Sequence, residues 1–97
     1  MLTLGIDLGT SSVKAALLDD DDRVVATVSR PLVVSHPGPG FSEQDPEDWW
    51  RAACEAVDAL QAQHAEALSA VAAIGLSGQM HGATLLDAEG KVLRPCI

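Results

Sequence analysis

Positive charge is scarce in this sequence. Lysine and arginine together number 6, against 14 aspartates and glutamates, which gives a formal net charge of −8 at neutral pH. The long-range field of such a chain repels phosphate backbones and anionic membrane surfaces, so neither nucleic acid nor a membrane is an expected partner. Long apolar runs are missing too. Nothing approaches the roughly 20 apolar residues of a membrane helix, and Met1-Leu2-Thr3-Leu4 has neither the basic start nor the apolar stretch of a secretion signal. The expected location is cytoplasmic. Cysteine is confined to Cys54 and Cys96, which have no Cys-x-x-Cys spacing and no histidine cluster beside them. They read as reduced thiols in small core positions. No internal repeat or low-complexity linker interrupts the chain, which reads as one unit or part of one.

What is present suits a modest core: 97 residues, 47% of them hydrophobic. Residues 2–6 and 13–18 are short apolar runs joined by a glycine-containing turn, and residues 23–30, closed by Pro31, supply a third. Three antiparallel strands in a meander are predicted. The four aspartates at 19–22 lack the alternating ligands, central glycine and distal glutamate of a calcium loop, and read as a solvated hairpin turn. The proline- and glycine-rich stretch from 32 to 44 is a loop. Asp45-Pro46-Glu47-Asp48 then starts a helix, with a capping carboxylate, a proline at the first turn and acidic residues near the positive end of the dipole. The helix is expected to run to about Ala67. Trp50, Ala53, Cys54, Val57, Leu60 and Leu68 follow the spacing of one buried face, which places Trp50 in the core and leaves Trp49 partly exposed or against an absent domain. Residues 71–76 form a strand expected to lie parallel to an earlier one, and residues 83–93 form a last hairpin. His36 and His64 are expected at the surface without partners.

The chemistry concentrates in Asp7-Leu8-Gly9-Thr10-Ser11-Ser12-Val13-Lys14. One hairpin there combines a carboxylate, a glycine, three consecutive hydroxyls and a cation. The glycine lets backbone amides converge on an anion, the hydroxyls add donors, Lys14 adds charge, and Asp7 can hold a hydrated magnesium ion. Neither Gly-x4-Gly-Lys-Ser/Thr nor Gly-x-Gly-x-x-Gly occurs in this segment, so those two phosphate-binding designs are excluded from it. An ordinary polar turn is the competing reading, and the segment's place inside a three-strand meander favours a phosphate loop. A second polar segment, Ser77-Gly78-Gln79-Met80-His81-Gly82, follows the fourth strand. Gln79 and His81 can donate and accept hydrogen bonds, and Met80 offers an adaptable apolar contact. From the residues alone His81 reads as a satisfied structural histidine.

Residues 5–14 resemble the first phosphate loop of the actin, Hsp70 and hexokinase superfamily, in the form used by the FGGY family of carbohydrate kinases. Phe41-Ser42-Glu43-Gln44-Asp45-Pro46-Glu47-Asp48-Trp49-Trp50 is similar to that family's helix start. Gly75-Leu76-Ser77-Gly78-Gln79-Met80-His81-Gly82 resembles the sugar-binding segment of its xylulose-phosphorylating branch, where glycerol-phosphorylating members carry Arg-Glu in place of Met80 and His81. The likeness continues through Leu85-Leu86-Asp87 to Arg94-Pro95.

This resemblance implies a ribonuclease H-like (actin-like ATPase) α/β domain: a three-strand antiparallel meander followed by a helix and a parallel strand, incomplete at the C-terminus. Residues 1–97 would be the N-terminal part of the first domain, with its remainder and the second domain absent. It implies ATP-dependent phosphorylation of D-xylulose to D-xylulose 5-phosphate by the full-length protein, with Mg2+ at Asp7. The ATP phosphates would lie among Gly9, Thr10, Ser11, Ser12 and Lys14, and the ketose against Gln79, Met80 and His81. The family's base is a downstream aspartate, so no catalytic residue is expected in these residues and the isolated chain should be inactive. A homodimer of the full-length protein is compatible with the resemblance. The competing readings are an FGGY kinase for gluconate, ribulose or glycerol, and a non-enzymatic actin-like nucleotide switch. A switch protein has no use for the Gln-Met-His group.

Overall fold

The computed structural model describes residues 1–80 and 82–97. Strands β1 (Leu2–Leu8), β2 (Ser12–Leu18) and β3 (Val24–Pro31) form the predicted antiparallel meander. Helices α1 (Pro46–Gln63) and α2 (Ala65–Ser69) follow, and strand β4 (Val71–Gly78) returns parallel to β1. The sheet order is β3-β2-β1-β4.

Alternation along the strands decides which face is buried. Leu4 of β1 and Val13, Ala15 and Leu17 of β2 are buried, and α1 meets them with Ala52, Ala56 and Leu60. Two adjoining clusters result. Leu4, Ala15, Leu17, Ala56 and Leu60 form the first, and Val13, Leu32 and Ala52, with Trp49 packed against them, form the second. Alanines at 52 and 56 let the helix backbone approach the sheet. The helix starts as its sequence requires, with the Asp45 carboxylate accepting from the Glu47 N–H at 3.0 Å and Pro46 in the first turn.

Leu60 is buried and Ala53, Val57 and Leu68 pack against the core as expected, but the stripe is rotated at the start of the helix. Trp50 is 71% exposed, while Trp49 is half-buried on the second cluster. Apolar residues occupy adjacent positions along α1, so two stripes about 100° apart both satisfy helical spacing. The small side chains at 52 and 56 select the one that packs closely. The helix also ends sooner than expected. His64 leaves helical geometry (φ −137, ψ 47) while its N–H still donates to the Leu60 carbonyl. The bend brings Ala67 and Leu68 of the short α2 onto the first cluster.

The turn at 19–22 is held by its own first side chain, since Asp19 Oδ1 accepts from the amides of Asp21 and Arg23, both at 2.9 Å. Asp22 takes the left-handed conformation there, with φ 58. The expected hairpin at 83–93 is reduced to a single bridge, Leu86 with Val92, around a turn that Asp87 caps. His36, expected without partners, has its Nδ1 3.0 Å from the Phe41 carbonyl and 3.3 Å from Ser42 Oγ. Both cysteines are free thiols, Cys96 buried and Cys54 half-buried. Among the described residues no helix is long and apolar enough to cross a membrane.

Replacing Leu60 with Ala should destabilise the protein by about 2–5 kcal/mol, because the residue is enclosed between helix and sheet. Trp50→Ser should change stability by no more than about 0.5 kcal/mol. Urea unfolding followed by far-UV circular dichroism measures both; a large loss for Trp50→Ser would return that side chain to the core.

Candidate functional site

The sheet face away from α1 carries the polar residues. Register across the four strands sets Ser29, Lys14, Asp7 and Ser77 in one row, one residue from each strand. The adjacent row is Thr27, Ala16, Gly5 and Gly75, so the floor beside the charged pair has short side chains. A depression of about 320 Å³ lies over this floor, bordered by Asp7, Lys14 and Ser77. Ser77 Oγ donates to Asp7 Oδ1 at 2.7 Å, which fixes the carboxylate's orientation.

The hairpin between β1 and β2 is tight. The Gly9 N–H donates to the Ser12 carbonyl at 2.9 Å, and a Cβ at position 9 would stand only 3.1 Å from that oxygen. Two further carbonyls of the turn are tied down: Ser11 O accepts from the Leu32 N–H at 2.8 Å, and Thr10 O from Gln44 Nε2 at 2.6 Å. The Thr10 and Ser11 side chains remain exposed.

The segment after β4 lies against this hairpin. The Gln79 N–H donates to the Leu8 carbonyl at 3.1 Å, and Thr10 Oγ1 lies 3.5 Å from Gln79 Oε1. Met80 is 87% exposed. His81, the third residue assigned to the sugar, lies outside the described residues. Gly82 sits against Cys96, where a Cβ would come within 2.9 Å of the thiol sulfur. The structure therefore places Asp7 and Lys14 in one row, with Gly9, Thr10 and Ser11 in the adjoining turn, Ser12 at the start of β2 and Gln79 beside that turn.

Two contributors went unassigned in the sequence. Ser77 was read only as part of a polar strand end, and its tie to Asp7 follows from the parallel register of β4. In sequence Gln44 stands only as the end of the 32–44 loop and part of a helix start. It is 7% exposed, and besides Thr10 O it engages the Trp49 indole N–H (3.1 Å) and Gln79 Nε2 (3.4 Å) through its Oε1. It directly precedes the helix cap, a position where an apolar residue commonly packs back on the helix. A glutamine there was the available signal.

Chemically, this end of the sheet offers hydroxyls and an ammonium group to an anion, with an exposed carboxylate next to them. Magnesium is commonly held by one or two carboxylates together with substrate phosphates and water. Asp7 fits that donor set. Among the described residues no three His, Cys, Asp or Glu side chains gather into an all-protein metal cage.

A meander with a polar hairpin between its first strands, then a helix and a parallel fourth strand, is the mixed α/β opening of an actin-like ATPase domain. The crystal structure of a xyloylose kinase from Brucella ovis superposes with a TM-score of 0.98 at 57% identity, covering 100% of this chain and 20% of that one. The gluconate kinase of Lactobacillus acidophilus superposes with a TM-score of 0.88 at 29% identity, over 99% of this chain and 19% of that one. In sequence, the xylulose kinase of Escherichia coli (strain K12) is 56% identical over 94 residues, 97% of this chain and 19% of the relative. Residues 2–97 match the N-terminal domain of the FGGY family of carbohydrate kinases, and the chain belongs to that family. It spans about a fifth of the length of these relatives.

Trp49→Phe keeps the aromatic packing on Val13 and Leu32 but removes the donor to Gln44. The expected cost is about 0.5–1.5 kcal/mol, read by thermal or denaturant unfolding. An unchanged midpoint would show that the indole hydrogen bond adds nothing.

Proposed function

We propose that this chain is the start of a kinase that transfers the γ-phosphoryl group of ATP to D-xylulose, giving D-xylulose 5-phosphate. The observation that carries the reading is the adjacency of the two polar segments: Thr10 of the hairpin lies against Gln79 of the segment after β4, and Asp7 accepts from Ser77 on that same strand. A phosphoryl donor and a hydroxyl acceptor must meet within a few ångströms, and these two segments meet at one end of one sheet.

In this reading the turn amides and the hydroxyls of Thr10, Ser11 and Ser12 face the ATP phosphates, and Lys14 offsets their charge. Asp7 would hold Mg2+, which supplies charge neutralisation at the phosphates. Gln79, Met80 and His81 line the ketose side. The choice of xylulose rests on relatives that are xylulose kinases at 54–56% identity. A second reading, a kinase for gluconate, has support in the superposition with the Lactobacillus acidophilus gluconate kinase, because the shared fold leaves the sugar open. A cytoplasmic location and assembly of the full-length protein as a homodimer belong to the same proposal.

The intact protein should phosphorylate D-xylulose in preference to gluconate, ribulose and glycerol in an ADP-coupled assay. A clear preference for any of the others would overturn the substrate and leave the family intact. Asp7→Asn should lower kcat by about a hundredfold or more, with the loss persisting at saturating Mg2+ and ATP. Unchanged turnover would remove Asp7 from the metal site.

A further inference from the structure

We propose that Gln44 is a positioning residue that couples the phosphate loop to the sugar-facing segment, an inference that rests on the functional reading above. Its side chain joins three parts of the molecule. Nε2 donates to the Thr10 carbonyl of the hairpin at 2.6 Å, while Oε1 accepts from the Trp49 indole of α1 at 3.1 Å and from Gln79 Nε2 at 3.4 Å. The backbone of Gln44 is engaged as well, its N–H donating to Cys96 O at 3.0 Å and its carbonyl accepting from the Cys96 N–H at 2.7 Å. The residue is therefore tied through both its backbone and its side chain.

The consequence for the loop follows from peptide geometry. A trans peptide is planar, with its carbonyl and the next N–H pointing in opposite directions. Drawing the Thr10 carbonyl toward Gln44 turns the Ser11 N–H to the opposite side of the turn, away from the protein interior. Gln44 thus sets the direction of an amide in the stretch assigned to phosphate. The same amide group fixes Gln79 through Oε1, so the two ligand-facing segments share one reference point.

The position demands a donor and an acceptor on one side chain at the same time. Glutamate would keep the acceptor for Trp49 and Gln79 but set an anionic oxygen against the Thr10 carbonyl. Methionine would fill the space and supply neither function. Either change leaves a part-buried partner without its hydrogen bond: the Thr10 carbonyl in both, and the Trp49 indole N–H as well with methionine.

Gln44→Glu and Gln44→Met are made in the intact protein. Each should raise the Kd for a non-hydrolysable ATP analogue with Mg2+ and the Kd for D-xylulose by about tenfold, the scale of one buried hydrogen bond. In hydrogen exchange, the Gly9 and Leu32 amides that close the loop should exchange about tenfold faster, while Leu4 and Leu17 in the sheet centre keep wild-type rates. Uniformly faster exchange with unchanged affinities would show a merely structural role and overturn the proposal. So would unchanged exchange at Gly9 and Leu32.

If neither variant folds, the Gln44 side-chain amide resonance of the wild-type protein is followed instead. It should shift on adding the ATP analogue alone and on adding the sugar alone; a response to one or to neither overturns the coupling. Should another sugar of the panel prove to be the substrate, the xylulose reading fails by itself, and that sugar serves in the same titrations.

Discussion

The candidate site depends on β1 being hydrogen-bonded along both edges, antiparallel to β2 and parallel to β4. Side chains alternate across a strand, so a slip of one residue would carry Asp7 to the helix side and bring Ile6 to the open face. Two irregularities in the ladder, one extra residue opposite Leu2/Thr3 and another opposite Leu17/Leu18, lie at the end of the sheet remote from Asp7. The strands twist and adjust there. At the other end Asp7, Lys14 and Ser77 stay in register.

Packing and polar chemistry meet at Trp49. One side of its ring completes the Val13, Leu32 and Ala52 cluster, and its N–H reaches Gln44, which holds the hairpin. Burial of apolar surface by α1 is thereby transmitted to the conformation of a turn that has little apolar surface of its own. On the β4 side the same helix leaves Trp50 and Leu76 exposed, next to a strand with a free edge.

Most of the fold could be read from local patterns. The three strands announced themselves as short apolar runs with turns between them, and α1 by Asp45-Pro46-Glu47-Asp48, because caps and dipoles act within a few residues of their cause. The orientation of α1 could not be read. Trp49 and Trp50 are equally apolar, and the choice between them is made by the shape of the sheet surface, which the helix sequence does not contain. At the site, Asp7, Gly9, Thr10 and Lys14 stood out because they are crowded into one turn, and the structure keeps them together. Ser77 and Gln44 escaped notice because their partners are distant in sequence, so their meaning arises only when β4 and the 32–44 loop are brought to the hairpin.

The acidic turn at 19–22 has a bearing on how an anion would find the opposite end of β2. Ser12 and Leu18 bound that strand, so the four carboxylates stand about 20 Å from the hairpin. The screening length in physiological salt is about 8 Å, and the repulsion of that cluster has largely decayed at the turn. Net charge alone suggests a molecule that rejects anions from every direction. The four carboxylates of this turn act on the far end of the sheet and add little to the field that a small anion meets at Lys14.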